Sequence, residues 1–262
     1  VVNLSAAAPG EIAFSSMQQF IEAGQPALDH AYALLASDPA STPSDQLDWL
    51  APLPIPAQIR DCLGFEEHLK NVFESAIKLS AMAADDPVKA EQEFRASGRF
   101  TAPEVWYQQP LYYKGNRFSV APSGKDIVWP AYSEVMDFEL EMACVIGKKG
   151  KDIIKGNAED HIFGYTIYND FSARDAQMLE SQGMLGPAKG KDFDDSIILG
   201  PVIVTRDELD DPYNLRMQAR VNGETWCDSN SNTIHWKFSD MIAHISKSET
   251  LYPGEVIGSG TV

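Results

Sequence analysis

Met136-Asp137-Phe138-Glu139-Leu140-Glu141-Met142-Ala143, running on into Cys144-Val145-Ile146, alternates acidic with apolar residues. Period-two alternation is the pattern of a strand with one polar and one buried face. Glu139 and Glu141 then project from the same face, roughly 6.6–7 Å apart along it. Carboxylates at that spacing repel one another unless a cation lies between them, and a hard dication accepts several carboxylate oxygens at once. Taken alone, the pattern also fits a strand with a solvated acidic face. A second stretch, Asn169-Asp170-Phe171-Ser172-Ala173-Arg174-Asp175, follows the apolar run from Ile162 to Tyr168. A strand is expected to end at Asp170 and a helix to start at Ser172, with Ser172 and Asp175 spaced as a capping box.

Upstream, Phe65, Leu69, Val72, Phe73 and Ala76 recur at three and four, which predicts a helix with His68 beside its apolar stripe. A histidine in that place is commonly a packed core residue. Asp86-Pro87 opens a further helix that ends before Gly98, with Asp86 as its cap. Pro26 to Ala36 forms an amino-terminal helix, followed by a Pro-, Ser- and Asp-rich connection from Ser37 to Pro56. Beyond residue 100 the pattern turns to strands: Val105 to Gln109, Phe118 to Ala121 and Ile127 to Trp129, then the acidic strand. Tyr112 to Gly115 is expected as a loop. Leu215 to Val221 is expected as a strand leading to a turn at Asn222-Gly223, with a helix from Ser239 towards Ser246. The class expected is α+β, mostly β, with residues 1–100 as a helical accessory region containing the Asp61–His68 element and residues 101–262 as a β-rich catalytic domain.

The 262 residues are 44% hydrophobic, enough for a sizeable core, and carry a net charge of −17. With 21 Lys and Arg against 38 Asp and Glu, the basic footprint needed for nucleic acid or an anionic membrane is missing. An anionic substrate would need local cations such as Arg174 and Lys191. Cys62, Cys144 and Cys227 are odd in number and lack zinc spacing, so reduced thiols are expected; His235 and His244 lack acidic or cysteine partners at ligand spacing and read as structural. No basic and apolar leader opens the chain, and no apolar run reaches the ~18 residues of a membrane span. The expected compartment is the cytoplasm, a targeting segment already removed being the alternative.

The two acidic motifs, taken together, resemble the fumarylacetoacetate hydrolase family, and the resemblance covers roughly Asp61 to Gly260. It implies a mixed β-sandwich roll with flanking helices. It implies a catalytic Mg²⁺, or Ca²⁺ or Mn²⁺, held by Glu139, Glu141 and Asp170, with Asp61 as a further ligand seven residues before a catalytic His68. Lys191, in Gly190-Lys191-Asp192, is the implied lysine that touches water or substrate at the ion, and Arg174, Gln177 and Tyr113 are the implied contacts to an acidic substrate. The activity implied is hydrolysis of a carbon–carbon bond in a small 1,3-diketo acid, an acylpyruvate or a fumarylacetoacetate-like anion, as in aromatic amino acid catabolism. A homodimer is implied too. The chain departs from the family at Asp195, where the best-known member has a hydroxyl residue, and this leaves substrate identity open. It stops at Gly258-Ser259-Gly260-Thr261-Val262, where family members continue; the carboxylate that orients His68 is expected in that further part, with Glu66 and Glu67 as neighbours of no assigned role. Keto-acid decarboxylase, isomerase or hydratase chemistry on the same fold stays open, as does a noncatalytic metal-binding protein.

Overall fold

In the computed structural model, which describes residues 1–82, 84–98 and 101–262, the apolar runs become one eight-stranded sheet. Its strands are β1 (Ile59–Cys62), β2 (Tyr112–Gly115), β3 (Val120–Ala121), β4 (Leu140–Ile146), β5 (Ile162–Asp170), β6 (Ile197–Leu199), β7 (Val204–Thr205) and β8 (Val256–Gly258). The order is β2-β1-β8-β4-β5-β6-β3, with β7 also pairing with β5. β1 runs parallel to β8 and β3 to β6, while the remaining pairs are antiparallel. Helices α1 (Gln25–Ala36), α2 (Glu66–Met82), α3 (Pro87–Ala96), α4 (Arg174–Ser181) and α5 (Phe238–Ile245) flank the sheet, giving the α+β class expected. Among the described residues no helix is long and apolar enough to cross a membrane.

β4 shows how the sequence builds the site. Past Glu141 both of its faces are buried: Met142, Cys144 and Ile146 pack with Phe238, Met241 and Ile242 of α5, while Ala143 and Val145 pack with Ile21, Leu53 and Tyr168. Glu139 and Glu141 share parity with the second set, so the carboxylates begin where that apolar face ends. Register then gathers the other acids at the same end of the sheet. Asp61 on β1 stands opposite Gly258 of β8, and Gly258 opposite Ala143 of β4. Asp170, the last residue of β5, stands opposite Ile197 of β6.

Several local expectations give way to tertiary contacts. Val105–Gln109 is not a strand: Glu104–Gln108 is a short helix, anchored by the fully buried Trp106, whose Nε1–H donates to the Leu63 carbonyl. Ile127–Trp129 is irregular, with Val128 77% exposed and Trp129 Nε1–H donating to the Ser133 carbonyl, and it joins no strand among the described residues. Tyr112–Gly115 is an edge strand of the sheet, paired with β1, where a loop is expected. The acidic strand divides at Phe138-Glu139, because Met136–Asp137 pairs with Ser172–Ala173 instead of continuing the ladder to β5. That pairing also removes the capping box. α4 starts at Arg174 without a side-chain cap; Ser172 Oγ donates to the Asp170 carbonyl, and Asp175 accepts from Ser133 Oγ at 2.5 Å and the Glu134 N–H at 2.8 Å. Asp86 does cap α3, accepting from the Lys89 N–H at 3.1 Å. The division expected at 100/101 abuts Arg99 and Phe100, outside the described residues, and β1 is built into the main sheet between β8 and β2.

Candidate metal centre and active-site cleft

Asp61, Glu139, Glu141 and Asp170 are all buried, and each offers a carboxylate oxygen within 4.8 Å of the others. Their approach depends on Gly258. A Cβ there would collide with Asp61 Oδ1 and lie 3.1 Å from Glu141 Oε2, so only glycine lets β8 pass between the two acids. The backbone N–H of Gly260 donates to Glu141 Oε2 at 2.8 Å and the Thr261 hydroxyl lies 3.5 Å from Glu141 Oε1. Lys191, 3% exposed, bridges two of the four, donating from Nζ to Glu139 Oε2 at 2.8 Å and Asp170 Oδ2 at 2.7 Å. The Tyr113 hydroxyl donates to the same Asp170 oxygen.

Charge is unevenly shared across this cluster. Burial, reinforced by the Asp170 charge, pushes the Asp61 carboxyl up to about 7. Burial and the neighbouring Asp61 and Glu139 hold Glu141 well above the carboxylate range. Burial also raises Asp170, although Lys191 opposes it. Glu139 goes the other way: burial would raise it, but Lys191 and Arg174 outweigh burial and bring it down to about 2. Three of the four acids are therefore short of positive charge. Asp61 Oδ1 and Asp170 Oδ1 are buried and lack a hydrogen-bond partner among the described residues, an arrangement that is costly unless a donor or a cation meets them. An all-carboxylate donor set with unpartnered oxygens and mutual repulsion fits a hard divalent cation such as Mg²⁺, Mn²⁺ or Ca²⁺.

Above the acids lies a cleft of about 490 Å³. Its wall carries His68 from α2 and Arg174 and Gln177 from α4, with Tyr113 and Lys191 nearer the floor. The structure thus brings every site residue expected from the sequence to this cleft or, for Asp170, to the cluster beneath it. Arg174 is held by Asp137, a residue quoted in the first motif but given no role there. Its Nη2 lies 2.8 Å from Asp137 Oδ2 and its Nη1 2.8 Å from Glu139 Oε1, and Nη1 also donates to Gln177 Oε1 at 2.9 Å. His68 is half-buried, and burial lowers its basicity, so the ring stays neutral further into acid. Among the described residues no carboxylate hydrogen-bonds it. Glu66 accepts from the Tyr107 hydroxyl at 2.8 Å and pairs with Lys70 at 3.1 Å, and Glu67 is exposed. His235 lies tilted against Trp106 at 4.7 Å and edge to face with Trp236 at 4.8 Å, and Asp195 pairs with Lys125 at 2.8 Å. Gly258, Gly260 and Thr261 went unassigned in the sequence; the spaced glycines Gly258 and Gly260 were the available signal.

Comparison with known proteins identifies the family. The rat mitochondrial oxaloacetate tautomerase Fahd2a (Rattus norvegicus) is 34% identical over 248 residues, 94% of this chain and 68% of its own. The human mitochondrial oxaloacetate tautomerase FAHD2A (Homo sapiens) is 34% identical over 265 residues, 100% of this chain and 73% of its own. Among solved structures, fumarylacetoacetate hydrolase from psychrophilic Exiguobacterium antarcticum superposes with a TM-score of 0.68 at 26% identity, covering 94% of this chain and 75% of that one. The model of the fumarylacetoacetate hydrolase C-terminal region matches residues 63–262, the span that holds His68, Lys191 and three of the four clustered acids. By that match and by its relatives, the chain belongs to the fumarylacetoacetate hydrolase family.

Proposed function

We propose that the chain is a divalent-metal-dependent enzyme that interconverts the keto and enol forms of a small keto acid, with oxaloacetate the first substrate to test. The observation that carries this is the buried tetrad of acids with two unpartnered oxygens at the floor of a cleft walled by His68 and Arg174. Asp61, Glu139, Glu141 and Asp170 would hold the ion. Bound there, it supplies positive charge to the keto-acid oxygens and so favours the enolate. Arg174 and Gln177 orient the substrate carboxylate from one side, and Tyr113 and Lys191 from the floor. His68, kept neutral by burial, takes a proton from the carbon beside the keto group. That C–H electron pair becomes the C=C bond, the carbonyl pair moves onto oxygen, and the imidazolium returns the proton to that oxygen. Lys191 and Arg174 offset the negative charge that develops.

Tautomerisation is preferred to the hydrolysis expected from the sequence because relatives at 34% identity across nearly the whole chain bear the name oxaloacetate tautomerase. Hydrolysis of an acylpyruvate is the second reading, favoured by the resemblance to the Exiguobacterium hydrolase. With Mg²⁺ and purified full chain, the absorbance of enol-oxaloacetate should relax to equilibrium faster than in buffer, and acylpyruvate should stay intact. Release of pyruvate from acylpyruvate, with oxaloacetate relaxing at the buffer rate, would replace the first reading with the second. A homodimer, checked by light scattering, and a cytoplasmic location, checked by fractionation against the mitochondrial names of the relatives, complete the proposal.

A further inference from the structure

Helices α2 and α4 both face the cleft, and they change character in the same way along it. On α2 the cleft is lined by His68 and then by Val72; on α4, by Arg174 and then by Met178. Each step is four residues, about one helical turn, so each apolar side chain stacks one turn beyond a polar one on the same face. Exposure rises over the step on α4. Arg174 is half-buried, whereas Met178 is 56% exposed, and Val72 one turn beyond His68 is 45% exposed. Lys191 and the acids therefore form the floor, His68 and Arg174 the wall, and Val72 and Met178 the mouth, with Leu111, Pro187 and the buried Leu69 as further apolar lining and Ser181 as a polar member.

Single exposed apolar residues need no explanation. Here two from facing helices line one cavity that is continuous with the charged floor. Its volume of about 490 Å³ lies in the range that encloses drug-sized ligands, and a four-carbon diacid fills only part of it. We propose that the mouth is a subsite for a hydrocarbon substituent, so that the favoured substrate is a keto acid with its anionic head at Lys191 and Arg174 and an alkyl or aryl group passing between Val72 and Met178. This rests on the keto-acid reading of the floor and adds the class of substituent the site prefers.

N-alkyl oxamates, which present a keto-acid-like head and a tail of chosen length, test it by calorimetry on the Mg²⁺-loaded full chain. Affinity should rise about twofold to fourfold per methylene from methyl to butyl, as expected for apolar surface leaving water. The near-isosteric, neutral pair V72T and M178Q, both at exposed positions, should flatten that series while leaving oxamate itself bound as in wild type. A wild-type series without slope, or a slope unchanged in the double variant, would overturn the subsite while oxamate binding leaves the floor standing. A slope that persists while E139Q leaves the affinity for oxamate unchanged would keep the subsite and remove the keto-acid reading of the floor. Failure of every member to bind would remove both.

Discussion

Replacing Lys191 with Met keeps the length and apolar stem of the side chain and deletes only the ammonium. That ammonium lies 2.8 Å from Glu139 Oε2 and 2.7 Å from Asp170 Oδ2, with all three residues buried. Removing one partner of a buried ion pair costs about 3–5 kcal/mol, because a charge is left without compensation. Glu139 keeps Arg174 at 2.8 Å, so the burden falls on Asp170, whose carboxylate among the described residues retains the Tyr113 hydroxyl alone. The lower part of the range, about 3 kcal/mol, is therefore expected in EDTA, and for a chain of this size that lowers Tm by roughly 6–12 °C. Mg²⁺ should reverse much of the loss. The ion supplies the missing charge, no longer shares the site with a competing cation, and at a hundred times its Kd returns about 2.7 kcal/mol. Scanning calorimetry of K191M and wild type, each in EDTA and in Mg²⁺, reads both effects. Equal stability in EDTA would refute the ion-pair energetics; a loss in EDTA that Mg²⁺ leaves unrepaired would refute the metal site. Turnover in Mg²⁺ should still fall, since Lys191 also offsets charge on the substrate.

If His68 carries the proton, H68Q should reduce kcat by about 10²–10⁴-fold with little change in Tm or in Mg²⁺ affinity, whereas a packing histidine would lose stability and keep its turnover. Burial lowers the pKa of His68, and a base works only while neutral, so wild-type kcat/KM should hold through neutral pH and fall only below the ordinary histidine value of about 6.5. H68Q should lack that acid limb; a rate profile with the same limb in the variant would assign it to another group. G258A should drive a methyl group into the place of the Asp61 carboxylate, at an overpacking cost of about 1–3 kcal/mol, and weaken Mg²⁺ binding by about tenfold or more on calorimetry. Unchanged affinity in G258A would take Asp61 out of the ion's ligand set.

What could be read before folding, and what could not, follows from the range of each signal. Glu139 and Glu141 were legible as a pair because alternation along a strand assigns faces whatever the strand later meets, and that assignment survives even though the ladder breaks between Asp137 and Leu140. Asp170 was legible as a strand end because an apolar run stops there, and as a ligand only through the family resemblance. Arg174 and Gln177 share a face by helical spacing alone, so the missing capping box did not disturb them. Segments failed where a distant partner overrules the local pattern. Ser172 and Asp175 read as a cap, yet Met136–Asp137 claims the backbone beside one and the Ser133–Glu134 turn claims the carboxylate of the other. Trp106 read as part of a strand, yet its indole is tied to the Leu63 carbonyl of the chain that leads into α2. The glycines at the floor were the least legible. Gly260 reaches Glu141 across 119 residues, and no local period specifies that β8 must slip between β1 and β4. The need for glycine at 258 exists only once Asp61 and Glu141 stand on either side of it. The close approach of the carboxylates is thus a property of the sheet order, and it is the sheet order that turns a strand with acids on one face into a floor short of positive charge.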